Sequence, residues 1–516
     1  MSETQLLLSI LLLPLISAVL VALSGKSPNT RDGISVLSGI VLFMMVWQLG
    51  QLMNWGTSTS QPDYSAGGAA EVQVALQAQV LMLAEPLPGL TLSLSLEPLG
   101  LLFALIASFL WPVTTLYAIG YMRTNNEKNQ TRFYAAFALS ISAAMGIALS
   151  ANMLTLFVFY EILTLATYPL VTHAGNDKAR KAGRVYLGIL MGTSVGFLLL
   201  AMIWTWHLTG TLEFTPGGVF DQNVSSSLLS VLLVLYVFGT GKAALMPFHR
   251  WLPAAMVAPT PVSALLHAVA VVKAGVFTIL KVSVYIFGID TIASLVVAEW
   301  LVLLAALTIV LASAIALRKD NFKARLAYST VSQLSYITMG AMLGVAAGAI
   351  GGGLHIAMHA FGKITLFFCA GAIYVTAHKT EISQLNGIGK RMPLTMAAFT
   401  IGAISMIGAP PFAGFISKWY LLSGAFQAEH WIAIGAIVIS TLLNAAYFMP
   451  IVYAAFFKQE NPVHSHGKEN GPDEVISHGE APWPILLALM ITASATWLIF
   501  FFPEMPLALV EQMVKG

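Results

Sequence analysis

The chain has 516 residues, of which 57% are hydrophobic and 9% charged, with a formal net charge of +2. Soluble domains carry about 25% charged residues, and no single core in water hides so large an apolar fraction, so the solvent that fits is lipid. The near-neutral balance excludes a nucleic-acid partner held by counterion release, and the single cysteine, Cys369, excludes a disulfide framework and cysteine-ligated metal or iron–sulfur sites.

About 20 apolar residues cross a hydrocarbon core of about 30 Å. Taken in chain order, the segments that qualify are 5–24, 34–53, 99–119, 132–150, 152–172, 184–208, 228–258, 261–284, 292–317, 326–346, 351–377, 393–423, 431–457 and 483–503. The first is preceded only by the charge of Glu3 and lacks a cleavage site, so it reads as a retained span rather than a signal peptide. The expectation is an all-α membrane protein of about fourteen transmembrane helices with no separate soluble domain. With the N-terminus outside, the inside loops collect nineteen of the 25 Lys and Arg, from Lys26 to Lys468, while Lys515 alone lies outside. The positive-inside rule thus predicts both termini outside. The long connection 54–98, with Asp63, Glu71, Glu85 and Glu97 and no basic residue, falls outside as well.

Five lysines remain within helices: Lys242, Lys273, Lys281, Lys363 and Lys418. Glu161 lies mid-span in FVFYEILTL, and His267, His355 and His359 are also at membrane depth. A charge at a helix centre costs on the order of 2.5–3.5 kcal/mol or more, so idle ones are not expected there. Buried lysine gains and loses a proton readily, and a neighbouring acid couples to that change. His355, His359 and Lys363 are spaced i, i+4, i+8 and share one helix face. Lys281, near its helix end, is expected to snorkel. His249 reads as structural, Glu299 as too shallow to matter, and His464, His466 and His478 as solvated loop residues.

Two spans carry proline clusters, GKAALMPFHRWLPAAMVAPTP and MIGAPPFAGFISKW. Proline removes an amide donor and clashes with the preceding turn, so both helices should be interrupted. Broken backbone survives in a membrane only inside protein or beside a water-filled cavity. These are spans seven and twelve. Grouping spans 4–8 and 9–13 puts the broken helix fourth in each unit, and an odd-membered tandem repeat must be inverted. The division expected is 1–131 (three spans and the outside loop), 132–290 and 291–457 (the two five-helix units), and 458–516 (an inside loop and span 14). In this reading Lys242 precedes its break and Lys418 follows its own.

The motifs LFVFYEILTLATYPLV, GKAALMPFHRWLPAAMVAPTPVSALLHAVAVVKAG, DNFKARLAYSTVSQLSYI, HIAMHAFGKITLFF and APPFAGFISKWYLL carry a resemblance from about residue 97 to 457. The chain resembles the antiporter-like membrane subunits shared by Mrp-type cation/proton antiporters, respiratory complex I and membrane-bound hydrogenases. The resemblance implies that Glu161 and Lys242 are the acid–lysine pair of the first half-channel. Lys273 would pass protons toward the centre, His355, His359 and Lys363 would form the central relay, and Lys418 would end the second half-channel. His267 is a secondary relay candidate. Lysine at 418, the length and the span number look like the Mrp D type.

The resemblance further implies partner membrane subunits, including an A-like homologue, and no tightly bound cofactor. It places the chain in a bacterial or archaeal cytoplasmic membrane, moving protons against Na+ or K+. The expected mechanism makes Glu161–Lys242 a gate that releases a proton toward Lys273. Rival expectations are a proton-pumping subunit of complex I or a hydrogenase, and a degenerate scaffold or partner in inorganic-carbon uptake. A self-contained nucleotide enzyme is not expected, since GKAA at Gly241 lacks the phosphate-loop spacing. With Glu161 as the one mid-membrane carboxylate, Na+ is expected to take another subunit's path.

Overall fold

The computed structural model describes residues 2–53, 79–221, 223–460 and 479–515. The readings made for Asp63, Glu71, Lys468, His464, His466 and His478 lie outside the described residues, as does the side chain of His267. The expectation of a mostly helical membrane architecture holds. Among the described residues, ten helices are long and apolar enough to cross a membrane.

The chain opens with α1 (Glu3–Leu23) and α2 (Pro28–Leu52). Ser2 starts α1 with a capping box, its hydroxyl accepting from the Gln5 amide while its own amide donates to Gln5 Oε1. A hairpin follows that the all-helical expectation lacked: β1 (Leu81–Leu87) pairs antiparallel with β2 (Leu90–Leu94). Then come α3 (Pro98–Thr124), α4 (Gln130–Ala148) and α5 (Met153–Val171). Asn152 caps α5 by accepting from the Thr155 amide at 2.8 Å, and its Nδ2 donates to the Thr91 carbonyl and Glu213 Oε1. One side chain thus starts a helix and ties the hairpin to it. Asn176 and Asn321 cap the helices that start at Asp177 and Phe322 in the same way.

The next element, α6 (Asp177–Thr209), starts before the expected span and contains a π turn at Ser194–Leu198. The seventh span is corrected more strongly. Helix α7 ends at Gly239 (Ser226–Gly239), and Thr240 to Ala258 is a run of short turns. Lys242 therefore sits within the break rather than before it. The proline cluster explains this, because four prolines across 247–261 leave no uninterrupted run of donors to extend a helix. The chain resumes at Thr260, passes a π turn and continues as α8 (Val271–Lys281).

The longer helices that follow are α9 (Val296–Arg318), α10 (Phe322–Met342), α11 (Ala346–Ala377), α12 (Pro393–Ile407), α13 (Gly414–Gln427), α14 (Trp431–Phe457) and α15 (Trp483–Phe501). The twelfth span is broken between α12 and α13 as expected, and Lys418 follows the break. A terminal helix, α16 (Glu504–Lys515), was not expected. Its short apolar stripe of Pro506, Leu509, Val510 and Met513 is buried.

Helix α11 is the axis of the molecule. Its apolar window is wholly buried, and it is packed by α3, α10, α12, α13 and α15. Small residues permit the approach: a Cβ on Gly351 would strike the Leu421 backbone of α13. The three ionisable residues of α11 therefore lie in the protein interior and not against lipid.

Candidate proton-relay site

The turn that breaks the seventh span delivers Lys242, which is fully buried. Its Nζ donates to the Tyr160 carbonyl at 2.8 Å and to Thr164 Oγ1 at 2.6 Å, and lies 3.1 Å from the centre of the Tyr160 ring. The Lys242 amide, freed by the break, donates to Tyr160 Oη. Helix α5 therefore grips this lysine at three points. Glu161 is the next residue along α5 after Tyr160. Its two carboxylate oxygens have no hydrogen-bond partner among the described residues. The two groups expected as a pair are neighbours, but no ion pair joins them here.

Lys273 in α8 faces α11, where its Nζ is 2.7 Å from His359 Nδ1. Both residues are fully buried. At that separation one proton serves both atoms: a lysine ammonium donates to a neutral imidazole, or an imidazolium donates to a neutral amine. One turn earlier on α11, the His355 ring lies 5.8 Å from that of His359. His355 Nε2 contacts Gln333 Oε1 at 2.9 Å and Nδ1 contacts Ser417 Oγ at 2.9 Å. The Gln333 amide donates to the Met406 carbonyl, which sets its orientation so that its oxygen faces the ring. Ser417 can give its hydroxyl proton to neutral His355. It can also accept from charged His355 and turn its own proton to the Gly414 carbonyl at 3.2 Å. Both protonation states of His355 are thereby satisfied without moving a backbone atom.

Lys363, the third member of the stripe, donates to Ser329 Oγ at 2.8 Å. Tyr447 donates to the same oxygen and also contacts Asn444 Oδ1. Lys418 in α13 donates to the Ile407 carbonyl, exposed where α12 ends, at 2.8 Å. It also reaches Thr441 Oγ1 at 3.3 Å and lies 5.2 Å from the Tyr336 ring centre. Tyr336 in turn sits 5.7 Å from His355. Gly408, with φ +86°, ends α12 in a left-handed conformation that also leaves room for the Lys418 chain.

The arrangement gathers Lys273, His359, His355 and Lys418 into one cluster, with Lys363 beside it. Lys242 stands apart, and among the described residues no hydrogen bond links it to Lys273. The packing between them is nonetheless tight, since a Cβ on Gly275 of α8 would collide with the Lys242–Ala243 backbone. Tyr160, Thr164, Ser329, Gln333, Tyr336, Ser417, Thr441, Asn444 and Tyr447 hold these lysines and histidines and were not singled out from the sequence. The signal was present: α10 reads AYSTVSQLSY, too many hydroxyl and amide groups for a lipid-facing helix.

Lys281 is a further correction. Far from snorkelling, it is fully buried, and its Nζ forms an ion pair with the Glu97 carboxylate, beneath the Phe214 ring at 3.9 Å. Snorkelling needs a free path to the interface, and the residues around 214 and the start of α3 close that path.

The profile of the family described as NADH:quinone oxidoreductase/Mrp antiporter, transmembrane, matches residues 150–444. NADH-quinone oxidoreductase subunit N of Desulforudis audaxviator is 33% identical over 377 residues, covering 72% of this chain and 74% of that protein. The A-type subunit of the Na(+)/H(+) antiporter of Alkalihalophilus pseudofirmus is 31% identical over 449 residues, covering 81% of this chain and 53% of that one. The chain thus spans about half of that longer relative. The fold is shared with a chain of the archaeal membrane-bound sulfane sulfur reductase (TM-score 0.80, 24% identity, 100% and 97% of the two chains). It is shared also with a chain of the Mrp complex from a Dietzia species (TM-score 0.77, 24% identity, 100% and 52%).

Proposed function

The chain belongs to the NADH:quinone oxidoreductase/Mrp antiporter transmembrane family, and on that premise we propose that it is the proton-translocating, D-type subunit of a multisubunit Na+ or K+/proton antiporter. The observation that carries the proposal is the Lys273 Nζ–His359 Nδ1 contact of 2.7 Å, continued through His355 toward Lys418, all at the centre of a membrane protein. Such a line moves protons by small transfers and needs no bound cofactor. In this reading Glu161 is the gate's mobile acid. When its carboxylate swings to Lys242 the lysine keeps its proton, and when it swings away the proton passes toward Lys273.

The same reading has fourteen spans, two inverted five-helix units at 132–290 and 291–457, and both termini outside a bacterial or archaeal cytoplasmic membrane. It includes sister membrane subunits, among them an A-like homologue, and His267 as a secondary relay group. The excess of Lys and Arg in alternate loops supports the orientation, and the broken segments near 240–258 and 408–413 support the pairing of units. A second reading, a proton-pumping subunit of a redox complex, is favoured by the likeness to quinone oxidoreductase subunit N.

Inverted vesicles carrying the whole gene cluster distinguish the two. Dissipation of a pH gradient by Na+ or K+, lost in Lys242→Ala, is the expected result. Proton movement that ignores both cations and starts only when a reductant is added would replace the antiporter reading by the redox one.

A further inference from the structure

Lys281 is buried like the relay lysines, yet the relay does not use it. It lies eight residues after Lys273 on the same face of α8, a rise of about 12 Å. Its charge is met by Glu97, the residue just before α3, whose side chain is 17% exposed. That exposure opens into a cavity of about 590 Å3 lined by Glu97, Glu213, Phe214, Tyr285 and Lys515. The cavity is on the face shared by the end of α2, the start of α3 and the end of α16, which the loop charges make the outer face. Among the described residues, the groups facing Lys281 are Glu97 from just before α3, Phe214 from the connection between α6 and α7, Phe277 from α8, and Tyr285 from the π turn that follows it. Glu213 and Lys515 stand around the cavity beyond the pair. A lysine with apolar walls on three sides and one carboxylate at a water-accessible edge is a single connection between interior and solvent.

We infer that Glu97 and Lys281 form the outer gate of the proton path, passing protons between Lys273 and water in this cavity. The inference rests on the proton-relay reading and adds its outer terminus. In the outward direction, the Lys281 ammonium gives its proton to the Glu97 carboxylate, leaving a neutral amine and a neutral acid. The acid gives the proton to water in the cavity and becomes a carboxylate again. The amine, now neutral, accepts the next proton from the Lys273 side. The Phe214 and Phe277 rings exclude bulk water from the amine, so that the proton cannot bypass the pair.

Two measurements on the assembled complex test the gate. The first needs no transport. A membrane-impermeant carbodiimide converts a touching carboxylate and amine into an amide with loss of water. Right-side-out vesicles should yield the Glu97–Lys281 cross-link by mass spectrometry, and inverted vesicles should not. In Lys281→Met, Glu97 should instead couple to an added amine from the outer side. No cross-link, or one formed only in inverted vesicles, overturns the assignment. The second sets pH separately on each face during cation-driven proton movement. Glu97→Gln and Lys281→Met should each slow it at least about tenfold and abolish its dependence on outer pH alone, with Glu97→Asp restoring both. Variants that keep the wild-type outer-pH profile overturn the gate. A Lys242→Ala chain that still transports, beside Glu97→Gln that does not, removes the Glu161–Lys242 gate and leaves the outer gate standing.

Discussion

The contact between Lys273 and His359 binds two residues into one titrating unit, because each atom satisfies the other only while a single proton is present between them. Removing either partner leaves a buried polar group unmet, at about 1–3 kcal/mol. Lys273→Met and His359→Phe are each expected to cut cation-driven proton movement at least about tenfold, and the double variant should be no slower than the worse single one. Rates that multiply in the double variant would show two independent functions. Glu161 offers a sharper case. Its oxygens make no hydrogen bond among the described residues, so in the proposed gate it would act by its charge. Glu161→Ala should insert to the wild-type level and carry no transport, measured by immunoblot and by pH-gradient dissipation in the same vesicles. Normal transport in that variant would remove the gate.

At the scale of elements, the broken segment around Lys242 owes its position to the absence of a side chain at Gly275. A Cβ there overlaps the Lys242–Ala243 backbone, and overpacking of this kind costs about 1–3 kcal/mol. Gly275→Val should therefore lower thermal stability and abolish transport together, whereas Gly435→Ala in α14, where a Cβ meets open space, should lower neither. The connection after α5 carries a pH response. Burial, reinforced by the nearby Arg132 charge, holds the His173 pKa below its ordinary value. The neutral ring is then the form that folding favours. This contribution is complete above the unfolded pKa of about 6.5 and is lost as pH falls below it toward the folded value. Purified protein should melt at lower temperature at pH 5.5 than at pH 7.5, and His173→Asn should narrow that difference. An unchanged difference, read by tryptophan fluorescence, would show that other groups govern it.

For the whole molecule, the arrangement of loop charges makes a claim about orientation that labelling decides. With Cys369→Ser as background, Lys515→Cys should react with an impermeant maleimide in right-side-out vesicles, and Lys390→Cys only in inverted ones. The reverse pattern would turn the molecule over and make the Glu97 cavity an inner mouth. The exterior is built for lipid, with Leu37, Trp300, Leu442 and Trp483 each more than 60% exposed while Lys273, His359 and Lys363 are fully buried. A water-soluble protein inverts that order, and the cost of charge in hydrocarbon explains why these three ionisable groups lie on interior faces.

Composition alone determined that this chain lives in lipid, because 9% charge cannot clothe 516 residues in water. The i, i+4, i+8 spacing determined that His355, His359 and Lys363 share a face, because helix periodicity is a property of local sequence. Proline determined where two spans break. The sequence was silent on the contacts. That Lys273 meets His359, 86 residues away, that Gln333 and Ser417 flank His355, and that Lys281 turns to Glu97 and not to the membrane surface all depend on which helices are neighbours. Neighbourhood is set by side-chain packing over long chain separations, which no local pattern encodes. For the same reason Lys242, placed by the proline rule before its break, lies inside it: proline ends a helix, but the packing of Gly275 decides how far back the unwinding extends.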